Sequence, residues 1–518
     1  MKLKTFFEKF DAFADAPDAV AKMRELILES AIRGQLIPQN PSDEPASLLL
    51  QRMASVQAGQ ARKQTVSPPV GDDAYLQIPR GWAWTRLCNT GRIFNGNSVN
   101  ESGKTELAKV EEGIPFIATK DVGYGRTALM YDNGLKVPLR DPRFKVARTN
   151  AVLICAEGGS AGKKIGVTDR DICFGNKLYA NEVWEGIHHR YVYYVYQAPT
   201  FYKEFAARMT GIIGGIARSQ FLALPFPLPP LAEQKRIVAK VDELMALCDR
   251  LEAQQQERQT RHAAIARASL ARFADAPTPA NLNLLFHKSY TIPPADLRKS
   301  ILTLAVQGKL VPKKERWIHR KLQDVAAQIV DCPHSTPKWT GAGRVCVRTS
   351  QFRPGLLDLS ETRFVSEQTY QERIQRLEPA ADDILYSREG GILGVACRVP
   401  SNVSLCLGQR MMLIRAGDSL VPAFLELVLN SPTITKIARE RTTGGAAPRV
   451  NVSIVKSYPI PLPTLAEQRR IVAKVDQLMA LVDELETQLA TSRATAKNLL
   501  DALVVELTAA DPQLAAAS

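Results

Sequence analysis

The sequence predicts a mixed α/β protein: two globular α/β domains in a pseudo-twofold arrangement, joined by long antiparallel helices packed in coiled-coil fashion. Three observations predict it. One helix is written twice, as "LAEQKRIVAKVDELMALCDRLEAQ" from Leu231 and "LAEQRRIVAKVDQLMALVDELETQ" from Leu465, with 19 of 24 positions identical. A shorter helix recurs at a different offset. The net charge of +14 is confined to two blocks, residues 75–230 and 313–464, which carry +7 each while the remainder sums to zero.

Residues 1–74 form a helical region followed by a linker. "MRELILESAIRGQLIP" (Met23–Pro38) matches "LRKSILTLAVQGKLVP" (Leu297–Pro312), with Arg24/Arg298, Ile27/Ile301, Leu28/Leu302, Ala31/Ala305, Gly34/Gly308 and Leu36/Leu310 coinciding. Each copy reads as a helix closed by a left-handed glycine, then an apolar residue, then proline. Asp18 and Asp296 suit N-terminal caps or first-turn acids. Residues 38–72 read as a polar linker.

The two basic blocks align weakly with each other. "GWAWTRLCNTGRIFNG" (Gly81–Gly96) resembles "RWIHRKLQDVAAQIVD" (Arg316–Asp331), and "IPFIATKDV" resembles "VCVRTSQF". The text from Asn150 and from Asp382 brings Glu157-Gly158-Gly159 over Glu389-Gly390-Gly391. "AVLIC", "DILYS" and "MMLIRA", bounded by Gly and Asp/Asn, read as strands; His189–Met209 reads as helical. Each block is of ordinary domain size. The order is therefore 1–74 helix and linker, 75–230 first domain, 231–312 central helical region, 313–464 second domain and 465–518 terminal helix.

In the long helices, Ile237, Val241, Leu244, Cys248 and Leu251 step by 4, 3, 4, 3. Ile471, Val475, Leu478, Val482, Leu485 and Leu489 do the same. That is the narrow seam by which two helices pack side by side. Starting after "PLPPLAEQ" and "PLPTLAEQ", each helix can run about 40 residues, about 60 Å. The economical arrangement packs the two seams on each other, with one domain at each end. Such a rod suits two stretches of duplex about 34–36 Å, or a multiple, apart. Clustered Lys and Arg suit a phosphate backbone. Because the two domains differ, the implied DNA target is bipartite and asymmetric.

Catalytic signals are missing. The eight cysteines are scattered without a C-x-x-C pair, so buried free thiols are read rather than a disulfide framework or zinc site. The six histidines show no metal-ligand spacing and pair with no nucleophile. No metal ligand and no catalytic residue is assigned. "GGSAGKK" (Gly158–Lys164) departs from a P-loop, with Glu157 and Lys164 at positions that need Gly and Ser/Thr. Two readings remain for it: a turn bringing backbone N–H groups and Lys163/Lys164 to phosphate, or an ordinary hairpin turn. "SPPV" at Ser67 lacks the aromatic of a methyltransferase loop, and Glu233-Gln234-Lys235 becomes Glu-Gln-Arg in the second copy. No apolar run approaches the ~18 residues of a membrane span, and the amino terminus lacks a signal peptide's apolar stretch. A cytoplasmic location is expected, with no membrane partner.

At Pro-Leu-Pro-x-Leu-x-Glu-Gln-x-x-Ile-Val, present twice, the chain resembles the specificity (S) subunit of type I restriction–modification systems. The preceding "TGIIGGIARSQFLALPFPLPP" and "TTGGAAPRVNVSIVKSYPIPLP" align Thr210-Gly211 with Thr443-Gly444. The resemblance spans nearly the whole chain and identifies the two blocks as target-recognition domains. It implies a bacterial or archaeal complex with double-stranded DNA, two methyltransferase subunits and, for cleavage, restriction subunits. Those partners would use S-adenosylmethionine, ATP and Mg2+, with the target adenine flipped into a partner's pocket; this chain binds no cofactor and is non-catalytic. The family's recognition domains vary, so no base contact is carried over. By residue chemistry, Arg and Lys favour guanine and Asn and Gln adenine. The candidates are Thr119, Lys120, Lys163, Lys164, Asn176, Lys177 and Arg218 in the first domain. In the second they are Arg348, Ser350, Arg388, Gln409, Arg410 and Arg449. The competing readings are a self-contained DNA-modifying enzyme and a coiled-coil scaffold that binds no nucleic acid.

Overall fold

The computed structural model describes residues 16, 18–59, 70–71, 74–211, 214–287, 290–312, 316–443 and 448–508. They fall into two units, Met1–Gln255 with Ser492–Ser518, and Gln256–Thr491. Both divisions lie inside long helices.

The first unit opens with α1 (Ala19–Ile32). Asp18 occupies its N-cap position but bonds no helix N–H through its side chain, because its own backbone is left-handed. Gly34 ends the turn at φ 67°, and a Cβ there would lie 2.4 Å from the Pro79 ring. The stretch read as a linker contains a second helix, α2 (Ala46–Gly59), which buries Ala46, Leu49 and Met53. Its apolar stripe at i, i+3, i+7 is present in the sequence, masked by the polar text around it. Then come β1 (Ala83–Arg86), β2 (Gly91–Asn95), α3 (Glu101–Leu107), β3 (Ile114–Ile117), β4 (Lys136–Val137), β5 (Val146–Ala147) and β6 (Val152–Cys155). β7 (Ile165–Val167), β8 (Ile172–Phe174), β9 (Leu178–Val183), α4 (His189–Gln197), α5 (Pro199–Ala207), α6 (Arg218–Leu222), β10 (Pro225–Leu228) and the long α7 (Leu231–Asp275) follow. The helical text at 189–209 is split because Pro199 holds Ala198 extended.

The second unit contains α8 (Pro279–Leu285), α9 (Pro294–Val306), β11 (Ile318–Lys321), α10 (Leu322–Val325), β12 (Ala326–Asp331), β13 (Trp339–Thr340) and β14 (Arg344–Val347). It continues with β15 (Phe352–Arg353), β16 (Leu356–Leu357), β17 (Phe364–Val365), α11 (Glu367–Ile374), β18 (Ile384–Ser387), β19 (Ala396–Arg398), β20 (Leu405–Leu407) and β21 (Met411–Ala416). α12 (Pro422–Leu429), α13 (Pro432–Glu440), α14 (Val452–Lys456), β22 (Pro459–Leu462) and the long α15 (Leu465–Thr508) complete the chain. Asp296 is a first-turn acid of α9, and Gly308 ends that segment at φ 70°.

The duplication survives in topology. The first unit has an antiparallel sheet β2-β9-β6-β7 and a mixed sheet β4-β3-β8-β5 in which β3 and β8 run parallel. The second has β12-β21-β18-β19 and β13-β17-β14-β20, with β14 and β20 parallel. Each adds a two-stranded ribbon, β1–β10 or β11–β22, in the same register. Prolines at 225 and 227, and at 459 and 461, recur with the strand period of two. They remove the N–H groups of one edge, so each ribbon can pair on one side only.

The two repeat offsets find their reason here. In each unit the short helix is tied to the long one: Arg24 bonds Asp249 and Glu252 at 2.9 and 2.6 Å. Arg298 meets Asp483, and Glu486 at 2.9 Å, in the same way. One core joins Met23 and Ile27 of α1, Tyr191 and Tyr194 of α4, and Ile237, Val241, Leu244 and Cys248 of α7, with Leu251 half-buried at its margin. A separate core joins Leu297 and Ile301 of α9, Phe424 and Val428 of α12, and Ile471, Val475, Leu478 and Val482 of α15, with Leu485 at its margin. The expectation that the two seams cover each other is therefore corrected. Each seam is buried by its own unit's helices, which offer apolar surface closer along the chain. The far ends also serve as core: Ala496, Leu500 and Leu503 in the first, Ala266 and Phe273 in the second.

The Leu-Ala-Glu-Gln signature has a local explanation. Gln234, fully buried, accepts from the His188 N–H (2.8 Å) and donates to the Pro229 (3.0 Å) and Gly186 (3.3 Å) carbonyls. Gln468 repeats this with Val421 N–H (2.7 Å) and the Ser419 (2.8 Å) and Pro463 (3.0 Å) carbonyls. The signature thus pins the start of each long helix to the loop ahead of α4 or α12. Thr464 and Glu467 form a capping box, Thr464 Oγ1 accepting from Glu467 N and Glu467 Oε2 from Thr464 N. Pro230 lacks those groups, and Glu233 accepts from Gln39 instead, at 2.8 Å. Gln468→Leu is expected to cost about 3 kcal/mol by stranding buried polar groups. Gln488→Ala, exposed on the same helix, should stay within about 0.5 kcal/mol; urea denaturation of the two variants checks the contrast.

Candidate nucleic-acid interface

In the first unit one rim collects the ends of β3, β6 and β8. After β3 the chain makes a 3-10 turn, Thr119–Asp121, and the Asp121 carboxylate accepts from Ala118 N–H (2.8 Å) and Asn133 (2.7 Å) to hold it. Lys164 Nζ donates to the Thr119 carbonyl at 3.0 Å. Lys177 approaches Glu157 at 3.8 Å, and Asn176 N–H donates to the Asn97 carbonyl at 3.0 Å. Thr119, Lys120, Lys164, Asn176 and Lys177 are therefore brought together. Lys120 and Asn176 are exposed, and among the described residues their side chains have no hydrogen-bond or ion-pair partner. Lys163 points elsewhere, its ammonium 5.8 Å from the Tyr202 ring.

Arg218 is exposed, and its Nε (3.1 Å) and Nη2 (2.7 Å) both donate to the Ile93 carbonyl of β2, which fixes the guanidinium at the surface. The glycine turn at 158–164 is a hairpin turn between β6 and β7, and most of its backbone N–H groups are engaged within the protein. Gly158, Ala161, Gly162, Lys163 and Lys164 already donate their N–H groups to Gly214, Gly158, Cys155, Ser160 and Ser160. A phosphate nest needs those donors free.

The second unit repeats the rim with different side chains. Gln351 does the work of Asp121, its Oε1 accepting from Arg348 N–H at 2.8 Å, and Ser350 stands exposed on the turn. Arg348 Nε is buried and, among the described residues, bonded to nothing. Gln409 donates to the His334 carbonyl at 2.5 Å. Arg410 and Arg449 are exposed and lack an ion pair among the described residues. Arg449 shares a backbone-paired arm with Thr443, whose neighbour Gly444 lies outside the described residues. Arg388 is a correction. Its side chain is 7% exposed and clamps the Asp331 carboxylate through Nε and Nη2, both at 2.9 Å, with Glu389 at 3.1 Å from Nη1. A guanidinium so enclosed reads no base. The aligned position of the first unit is Ala156, so the repeat gave no signal of this.

The rim also carries residues the sequence reading passed over. A turn at Gly123–Thr127 follows the first rim and the hairpin β15–β16 follows the second. Tyr124 is 56% exposed and Leu356 61%. The available signals were the Gly-Tyr-Gly-Arg and Arg-Pro-Gly-Leu turn texts. Beside the first turn lies an open cavity of about 690 Å³ lined by Arg24, Tyr124, Arg126, Lys163, Tyr202 and Asp249. Arg24 and Arg126 both bond Asp249 at 2.9 Å, so its cations are largely spoken for. All eight cysteines are buried and free. Burial pushes Cys173 up to about 12 and Cys248 up to about 11, which leaves both as unreactive thiols. Among the described residues no helix is long and apolar enough to cross a membrane.

The model of the type I restriction modification DNA specificity domain matches this chain twice, over residues 85–259 and 341–492. The chain belongs to that family. Each match contains one of the rims just described. The EcoEI specificity subunit of Escherichia coli is 25% identical over 93% of this chain and 93% of its own. The EcoAI specificity subunit of Escherichia coli is likewise 25% identical, with the same coverage. A chain solved in work on complex assembly and conformational transition of the type I R-M system superposes with a TM-score of 0.53. It is 19% identical and covers 84% of this chain and 99% of itself. That likeness shows a shared fold for this type I DNA specificity protein.

Proposed function

We propose that this chain is the specificity subunit of a type I restriction–modification complex, reading a bipartite, asymmetric DNA target and scaffolding the subunits that modify and cut. The observation that carries the reading is the double match of the specificity-domain model onto two units of one topology. The units present unlike side chains at equivalent rim positions, such as Lys120 against Ser350 and Lys177 against Arg410. Unlike rims call for unlike half-sites. The proposed partners are double-stranded DNA, two methyltransferase subunits and restriction subunits. S-adenosylmethionine, ATP and Mg2+ would be bound by those partners, with adenine the methylated base.

Exchanging residues 75–230 for the corresponding domain of a relative tests this directly. The methylated motif, mapped genome-wide, is expected to change in one half-site and keep the other letter for letter. Alteration of both halves would refute modular reading. Unaided modification of DNA by the purified chain would favour a self-contained enzyme.

A further inference from the structure

On the turn after the strand that pairs in parallel, β3 or β14, each unit displays one cation beside one large apolar side chain. In the second unit the hairpin β15–β16 turns on Pro354-Gly355. Proline presets the first corner, and Gly355 at φ 79° supplies the left-handed second corner, so the hairpin is stiff. Its register sets Phe352 opposite Leu357, both buried, and Arg353 opposite Leu356, both exposed. Arg353 Nη1 donates to the carbonyls of Ser350 (2.9 Å) and Phe352 (3.1 Å), and Asp358 lies 3.6 Å from Nη2. The hairpin is thereby anchored to the rim.

In the first unit Gly125, at φ 60°, takes the place of Gly355 in the aligned turn. Tyr124 stands beside it with the Lys164 ammonium 5.2 Å from its ring and its hydroxyl 3.0 Å from Ser160 Oγ. A single exposed apolar side chain is ordinary on a protein surface. Here two halves with little sequence in common each place one on the same turn, just before the glycine in the first and just after it in the second, next to the rim that carries Lys120 or Ser350. Held on a tight turn beside a cation, such a side chain matches a polyanion that also offers apolar spots. On a base-pair edge that spot is the thymine methyl of the major groove.

We propose that Leu356 and Tyr124 are specificity-determining residues, each making apolar contact with a thymine methyl in the half-site its own unit reads. The inference rests on the chain being a DNA specificity subunit. The test uses the complete complex, with the methylated motif mapped for wild type, Leu356→Ser, Leu356→Met and Tyr124→Ser. Leu356→Ser should relax discrimination at one A·T pair of one half-site by about tenfold. Leu356→Met should restore it, and Tyr124→Ser should act in the other half-site. Replacing the contacted thymine by uracil should weaken wild-type binding by a similar factor and leave Leu356→Ser unaffected. Unchanged discrimination at every pair, or affinity lost equally on all sequences, would overturn the proposal while leaving the specificity-subunit reading intact. A wild-type complex without sequence preference would take both down.

Discussion

Arg388→Ala is expected to destabilise the second unit by about 3–5 kcal/mol, with no new base preference in whatever folded complex survives. The substitution removes a guanidinium that bonds Asp331 twice at 2.9 Å and leaves that carboxylate half-enclosed without its partner. Breaking one side of a buried pair costs that much because the remaining charge keeps its desolvation penalty. Replacing the whole cluster, as Arg388→Met with Asp331→Leu and Glu389→Gln, should recover most of the loss, since no charge is then left stranded. Urea denaturation of the chain with each variant gives the comparison. A base-reading arginine would behave oppositely, so Arg388→Ala with wild-type stability and an altered motif would reinstate it as a DNA contact.

Four residues inserted after Gln256 of α7, together with four after Thr491 in the exposed stretch of α15, should lengthen the spacer between half-sites by about two base pairs. That part of α7 is exposed and polar at Glu257, Arg258, Gln259 and Thr260, so added turns disturb no core there. Four residues add about 6 Å at 1.5 Å each and rotate the following helix by only about 40°. At about 3.4 Å per base pair, 6 Å is close to two pairs. Methylome mapping of cells carrying the insertion reads the spacer directly. A motif with its original spacer would show that the long helices do not set the distance.

Much of the fold was legible because duplication makes each half a check on the other. The paired glycines Gly34 and Gly308, the paired signatures at Leu231 and Leu465, and the strands of "AVLIC", "DILYS" and "MMLIRA" all fall where their local chemistry puts them. Helix ends and strands depend on neighbours within a few residues, and that text is visible. α2 escaped because its stripe of Ala46, Leu49 and Met53 is short and embedded in polar residues.

The candidate site was less legible. Thr119, Lys120, Asn176 and Lys177 do share a rim, since strand ends that align in sequence align in a sheet. Arg388 looks the same as Arg410 and Arg449 in a sequence, and its fate differs because of a distant group, the Asp331 carboxylate. What the sequence by itself determined is the plan: two domains of one topology, two short helices, two long ones, and positive charge in each domain. Only the tertiary structure decided which cations stay free and what covers each seam. A side chain's availability depends on partners separated from it by as many as 228 residues, as for Arg24 and Glu252, and such pairings leave no mark on local sequence pattern.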